Sequence, residues 1–340
     1  MSKVITFGEI MLRLNPEGYR RIVQADRFEA SYAGGEANVA VSLAQYGNDV
    51  SFVSAVPAHE VGQACVNSLR RYGVGTEFIV RAGDRLGIYY VEKGASQRSS
   101  KVIYDRAYSS FSMSKKDDYD WETIFADADW FHWTGITPAL GGGIPEICLD
   151  ACRAAKKMGL TVSCDLNYRK KLWTRERAGE VMSGLMPYVD VCIANEEDAA
   201  DVFGIRAENT DVESGRLSKQ GYVSVAEQLA GRFGCKKVAI TLRSSVSATV
   251  NRWNGMLWAD GNACFSREYE IHIVDRVGGG DSFGGALIHA VRKGMDQQAV
   301  IDYAVAASCL KHTIEQDYNL VSEAEVNALA EGGGSGRVQR

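Results

Sequence analysis

The chain has 340 residues, which exceeds one small core and fits a large α/β domain with a smaller added unit. It is 46% hydrophobic and 24% charged, and its 35 glycines stand against 5 prolines, which excludes fibrous and disordered classes and assigns the glycines to turns and ligand loops. A net charge of -5, the lack of a membrane-length apolar run and the lack of a signal-peptide pattern in MSKVITFGEIM weigh against nucleic acid and membrane as partners, so a soluble cytoplasmic protein is expected.

KVITFGEIM predicts a buried first strand that ends at a Gly8-Glu9 turn. GGEANVAVSLAQYG predicts a helix opened by Gly34 and Gly35 and closed by Gly47, and DVSFVSAV the next strand. HEVGQACVNSLRRYG follows as a helix with Val61, Cys65, Val66 and Leu69 on one face. Strand and helix in alternation imply an α/β class with a doubly wound, mostly parallel sheet. Two segments, about 12–32 and 86–107, break the rhythm; in the second, LGIYYVEKG and KVIYDRA predict a hairpin in a separate small β-sheet.

The alternation resumes at DWFHWTG and continues through IPEICLDACRAAKKMG, LTVSCDLN and VDVCIAN. The helix EEDAADVFG, a polar insert at 206–221, the helix SVAEQLAGRFG and the strand KKVAITL come next. SATVNRWNGMLWAD predicts a hairpin turned at Asn254-Gly255. Helices from Asp281 and near 297–312 complete one domain over 1–330, and 331–340 reads as a flexible tail. The eight cysteines form no C-x-x-C pair, and Cys148 and Cys152, one helical turn apart, have core spacing, so reduced thiols are expected.

The chemistry concentrates in DRVGGGDSFGGALIHAV, Asp275 to Val291. Glycines before a helix N-terminus expose backbone N–H groups at the positive end of the helix dipole and let an anion approach closely. A bare strand–helix turn capped by Asp281 needs only one glycine, and Gly278, Gly279 and Gly280 stand together. No G-x-x-x-x-G-K-[ST] is present, and no G-x-G-x-x-G follows the first strand, which weighs against a dinucleotide-dependent dehydrogenase. An acid beside an anion hole suits phosphoryl transfer to an alcohol, with Asp281 accepting the hydroxyl proton.

DRVGGGDSFGGAL resembles the C-terminal signature of the ribokinase-like (PfkB) carbohydrate kinases, D-x-x-G-A-G-D-x-F, with Gly279 in place of the alanine. AGGEANVAVSLAQYG, about 245 residues earlier, resembles their N-terminal signature, in which the residues matching Gly34, Gly35 and Asn38 contact sugar hydroxyls. The resemblance covers roughly 1–330 and implies a ribokinase-like α/β domain with a small β lid. Within the family, the 2-keto-3-deoxygluconate kinases are most similar through YDR (Tyr104 to Arg106), DLNYR (Asp165 to Arg169) and LKHTIEQDYNLVS. That likeness implies a substrate site of Gly34, Gly35, Asn38, Tyr90, Tyr104, Arg106, Arg169 and Asp317, the two arginines facing a sugar carboxylate. A different reading of the same residues has Arg106 and Arg169 in surface ion pairs and the tyrosines filling the lid sheet.

ATP and magnesium are the expected donor and metal. Asn167, Asn195, Thr241, Arg243 and His312 are the expected ATP contacts, although Arg243 fits a structural role equally. Glu197 and Asp198 in NEED are candidates for magnesium through water, Asp198 standing where relatives carry glutamate. The expected reaction is phosphorylation of the C6 hydroxyl of 2-keto-3-deoxygluconate; fructose, 5-keto-2-deoxygluconate or a riboside are alternative acceptors, and a non-catalytic sensor is the alternative from another class. Pairing of lid sheets between subunits, implied by the same resemblance, leads to an expected homodimer.

Overall fold

Each strand of the larger sheet sends alternate residues to opposite faces, and both faces carry large apolar side chains, so helices must cover both. The computed structural model describes residues 2–208 and 218–333; residues 209–217 of the expected insert and 334–340 of the expected tail lie outside them. In chain order the strands of the first half are β1 (Lys3–Phe7), β2 (Met11–Asn15), β3 (Glu29–Ala33), β4 (Val50–Val56), β5 (Ile79–Arg81), β6 (Ile88–Glu92), β7 (Lys101–Asp105) and β8 (Ala128–Thr134). Those of the second half are β9 (Thr161–Asp165), β10 (Val191–Ala194), β11 (Lys237–Ser245), β12 (Val250–Ala259), β13 (Asn262–Phe265) and β14 (Tyr269–His272).

The larger sheet has the order β13-β12-β11-β10-β9-β8-β1-β4-β5, with β14 also on β12. It is parallel from β5 to β11 and antiparallel beyond. The chain winds outward from β1 in both directions, so the order reverses between β1 and β8, and the crevice outside the carboxyl ends of these strands is where an open α/β sheet takes its ligand. Val191 and Ile193 point to one core and Cys192 and Ala194 to the other, the two-residue alternation of a strand buried on both sides. The first core holds α1 (Gly35–Gln45), α2 (Glu60–Arg70), α9 (Gly279–Arg292) and α10 (Gln297–Lys311). The second holds α3 (Trp121–Phe125), α5 (Ile144–Lys157), α6 (Arg175–Leu185) and α8 (Lys219–Phe233), with the seven buried cysteines divided between the two. The remaining helices are α4 (Ile136–Ala139), α7 (Asp198–Phe203) and α11 (Glu323–Ala330). No described helix is long and apolar enough to cross a membrane.

Two local expectations are corrected. Val61 is 43% exposed. The buried stripe of α2 runs Gly62, Cys65, Val66 and Leu69, because Gly62 packs directly against the Pro57 carbonyl and turns the helix face by one residue. Asn254-Gly255 does not turn a hairpin: β12 runs straight through it, and a Cβ at Gly255 would stand 3.0 Å from Val305 and 3.1 Å from Ile301 of α10. The glycine serves helix-to-sheet approach, and the two-residue turn falls at Asp260 (φ 51°) and Gly261 (φ 78°), where Ala259 pairs with Asn262.

The smaller sheet, β3-β2-β6-β7, is the separate small sheet expected as the lid. It meets the body through Arg13 of β2, which is wholly buried and donates from Nη1 to Asp317 and from Nη2 to Asp275 Oδ2 (2.5 Å). Tyr89 of β6 donates its hydroxyl to Asp317 Oδ2 at 2.9 Å. Removing one partner of such a buried pair strands the other charge away from water. Arg13→Ala should therefore cost about 3–5 kcal/mol of stability, read as a lowered urea midpoint against wild type; a change within 0.5 kcal/mol would show the cluster to be relaxed and water-filled.

Candidate active site

The three consecutive glycines have three different causes. Gly278 adopts a left-handed φ of 84°, and a side chain there would strike the Asp317 carbonyl oxygen. Gly279 lies under the His312 ring, whose Cε1 would be 2.5 Å from an added Cβ. Gly280 has no neighbour within 4 Å on that side and so leaves open approach to the backbone. The Gly279 carbonyl accepts from Ser282 Oγ (2.8 Å) and Ser308 Oγ (2.7 Å), which ties the loop to α9 and α10. Gly279 N–H is turned back onto the Arg276 carbonyl (3.4 Å), while the N–H groups of Gly278, Gly280 and Asp281 make no backbone hydrogen bond and can receive an anion.

Asp281 stands in that first turn and accepts a 2.6 Å hydrogen bond from Asn38 Nδ2 of α1. The same Asn38 accepts from Gly34 N–H through Oδ1 (3.4 Å), and the Gly35 Cα faces Asp281, an added Cβ reaching within 3.6 Å of it. The two glycine motifs, some 245 residues apart in sequence, thus meet at one carboxylate. Burial pushes the Asp281 carboxyl up to about 6, with the Asn38 hydrogen bond opposing the shift and Asp317 adding to it. A carboxylate poised near neutrality is suited to accept a proton.

A cavity of about 950 Å³ opens in front of this pair, at the carboxyl ends of the parallel strands. Of the residues expected at the site, Tyr104, Arg106, Asn167, Arg169, Asn195, Glu197, Asp198, Thr241, Arg243, Gly278, Gly279, Gly280, Asp281 and His312 line it. Gly34, Gly35 and Asn38 abut it through Asp281. Tyr90 and Asp317 are not on its wall: Tyr90 packs edge-on against Phe28, 5.8 Å away, and Asp317 is engaged by Arg13 and Tyr89.

The arginines differ in what they have to offer. Arg169 is exposed on the cavity wall and makes no ion pair among the described residues. Arg106 is 9% exposed, paired with Glu9 and set over the Tyr104 ring at 5.4 Å. Arg243 donates to Glu196 Oε1 at 3.0 Å, and burial, with Arg243 nearby, lowers the pKa of Arg276 beside it. Thr241 Oγ1 is 3.5 Å from the Ala194 carbonyl. His312 donates from Nδ1–H to the Ser308 carbonyl (2.6 Å) and lies against Trp253. Burial lowers its pKa to about 4, so the imidazole is neutral.

The acids of NEED are wired to backbone. Asn195 Oδ1 accepts from the N–H groups of Glu197 and Asp198, while Asp198 accepts from Asn195 N–H (2.9 Å) and Tyr168 N–H (3.0 Å). Asp198 thereby fixes the turn after β9, and Glu197 keeps an exposed carboxylate on the cavity wall. No three His, Cys, Asp or Glu side chains converge among the described residues. Magnesium is held by one or two carboxylates together with water and substrate phosphates, and the exposed Glu197 on the cavity wall can supply one such carboxylate. Burial, with Asp198 and Asp281 nearby, raises the Asp165 carboxyl well above its ordinary range.

Sequence reasoning missed Glu9, Arg13 and Lys311, all buried and all charged. Their signal is weak, a charge inside an otherwise apolar strand or helix pattern, and their partners lie as far as 304 residues away.

Residues 1–323 match the family model of the pfkB family carbohydrate kinases. The crystal structure of 2-dehydro-3-deoxygluconokinase from Thermotoga maritima superposes with a TM-score of 0.94 and 52% identity, covering 98% of this chain and 100% of that one. A PfkB family carbohydrate kinase from Listeria grayi superposes with a TM-score of 0.90 at 35% identity over 97% and 99% of the two chains. The 2-dehydro-3-deoxygalactonokinase of Haloferax volcanii is 32% identical over 338 residues, 98% of each chain.

A carboxyl raised in the fold above its unfolded value of about 3.9 favours the protonated fold, so it lowers stability once pH exceeds both values. Asp281→Asn removes that cost and can still accept from Asn38 through its amide oxygen. The variant should be more stable than wild type at pH 7.5 by about 1–3 kcal/mol, with the advantage gone at pH 4. Urea melts at the two pH values check this; a pH-independent difference would rule out the buried carboxylate as its origin.

Proposed function

The chain belongs to the pfkB family of carbohydrate kinases and is a sugar kinase, and from that premise we propose that it transfers the γ-phosphoryl group of ATP to the C6 hydroxyl of 2-keto-3-deoxygluconate. The Asn38–Asp281 pair beside the glycine turn, where Gly278 and Gly280 N–H make no backbone hydrogen bond, carries the kinase chemistry in this reading. The unpaired Arg169 on the cavity wall, with Arg106 across from the sugar, supports an anionic acceptor. The relatives that act on 2-dehydro-3-deoxy sugar acids support it independently.

In the proposed mechanism Asn38 holds Asp281 toward the acceptor, and Asp281 takes the C6 hydroxyl proton as the oxygen attacks the γ-phosphorus in line. The new oxygen–phosphorus bond forms as the bond to the β–γ bridging oxygen breaks, and ADP leaves with that electron pair. The glycine N–H groups and the α9 dipole stabilise charge on the moving phosphoryl group without reorganising at the moment of reaction. Gly34, Gly35, Asn38 and Tyr104 make the sugar cradle; Arg106 and Arg169 face the carboxylate, and Asp317 supports the cradle from beneath. Asn167, Asn195, Thr241 and Arg243 hold phosphates, and neutral His312 with Trp253 flanks the nucleotide edge. Glu197, with Asp198 behind it, would hold magnesium through water, and the ion supplies neutralisation of the β- and γ-phosphates when bound. In the same reading, the exposed Phe28 and Ile103 belong to a homodimer face.

Asp281→Asn should lose at least about a thousandfold in kcat with KM for the sugar little changed. The wild-type kcat should fall tenfold per pH unit below pH about 6 and level above it, since the base acts only when ionised. Near-normal turnover by the variant would sink the mechanism. A coupled assay over 2-keto-3-deoxygluconate, its galactonate C4 epimer, 5-keto-2-deoxygluconate, fructose and a riboside, run on wild type and Arg169→Ala, tests the acceptor: KM should rise at least about tenfold for the acids only. Preference for a neutral sugar would overturn the acceptor and leave the kinase standing.

A further inference from the structure

Glu9 follows the first strand of the body, at the carboxyl end of β1 where the sheet order reverses. It is 4% exposed, and its carboxylate is fully subscribed. Oε2 accepts from both Nε (2.8 Å) and Nη2 of Arg106, and Oε1 accepts from Ser109 Oγ. Space is cleared for the pair by Gly87, where a Cβ would stand 2.9 Å from Glu9 Oε1 and 3.3 Å from Arg106 Cβ. The Glu9 carbonyl meanwhile lies directly against Gly34, so one residue touches both the sugar-side glycine turn and the arginine of the cavity wall.

Two physical facts follow. A guanidinium this buried would be costly unpaired whenever the cavity is empty, and Glu9 supplies its charge partner. The same partner leaves only Nη1 and one N–H of Nη2 for a ligand and cancels much of the field that an anion would feel. We infer that Glu9 is the resident counter-ion of Arg106, a positioning residue that sets how strongly the cavity prefers an anionic sugar over a neutral one. Arg106 then acts as an oriented hydrogen-bond donor of reduced charge, and the unpaired Arg169 supplies most of the attraction for a carboxylate. A damped cation keeps ground-state binding of the acid moderate, and binding that is equal in ground and transition states does not raise kcat. The inference rests on the acid-sugar reading for its biological meaning, but its physics concerns any anionic ligand of this cavity.

The amide of glutamine can keep every bond of Glu9, its oxygen accepting from both Arg106 nitrogens and its NH₂ donating to Ser109 Oγ. Glu9→Gln therefore removes the charge and spares the geometry. Dissociation constants of gluconate and of sorbitol, the neutral polyol of the same carbon chain, are measured without ATP on wild type, Glu9→Gln and Ser109→Ala. Glu9→Gln should tighten gluconate about tenfold and leave sorbitol within twofold. Ser109→Ala concentrates the Glu9 charge on Arg106 and should weaken gluconate about twofold, the opposite sign, and it carries the test alone if Glu9→Gln does not fold. Equal shifts for both polyols, no shift, or weaker gluconate binding in Glu9→Gln would each overturn the inference. Failure of the acid-sugar reading shows up separately, as wild-type turnover of neutral sugars in preference to 2-keto-3-deoxygluconate, and leaves the gluconate-to-sorbitol ratio readable.

Discussion

A buried guanidinium joins the two sheets of this molecule, and the candidate site is built around that junction. Arg13 leaves the lid strand β2 and pairs with Asp275 and Asp317, which flank the glycine loop on its two sides. Asp275 in turn accepts from Val277 N–H (3.1 Å) and Gln316 N–H (3.2 Å), and the Asp317 carbonyl is the surface on which Gly278 turns. The conformation of the anion loop, the seating of the lid and the position of Asp281 are therefore one electrostatic problem. Lys311, wholly buried behind the loop, donates to the Ile314 carbonyl (3.2 Å), and burial lowers its pKa against the pull of Asp275 and Asp317. Replacing Arg13 by an apolar residue leaves two carboxylates that water cannot reach.

The lid is held shut at more places than this. Lys171 donates to the Val102 carbonyl (3.0 Å), Ala248 N–H to the Ser96 carbonyl (2.8 Å), and Lys93 pairs with Glu315. These ties are exposed or half-buried, in contrast to the buried Arg13 junction, and the Lys171–Val102 one lies on the cavity wall. Exposed ties are worth little individually, so opening can break them while the base stays fixed. Such a division suits a kinase, because a closed cavity excludes water from the phosphoryl group and an opening rim admits the sugar.

Backbone constraints were legible in the sequence and charge partnerships were not. GGGD and GGEAN could be identified because glycine clusters have a steric cause that is local, and both motifs converge on Asp281 in the fold. Asn254-Gly255 misled for the same reason in reverse: the glycine answers to α10, an element 46 residues further on, and not to its own chain direction. Arg106 and Arg169 looked alike in sequence as two cations of one site. Their difference is set by Glu9, 97 residues before Arg106, which no spacing rule connects to it. Asp317 likewise reads as a free acid until Arg13 and Tyr89 are brought to it from the other sheet.

That difference bears on how a fold shared by kinases of acid and neutral sugars changes its acceptor. Adding a cation to a cavity is not sufficient to select an anion, because a buried cation without a partner destabilises the empty protein and recruits one. The partner then cancels part of the gain. A charge left at the exposed rim, as Arg169 is, escapes this constraint, since water stabilises it when the site is empty and is displaced when the acid arrives. Discrimination between acid and neutral sugars is thus achieved most cheaply by an exposed cation facing a preorganised, already neutralised donor. Glu9, Arg106 and Arg169 have that arrangement, with the neutral pair sealed under the lid and the free charge at its edge.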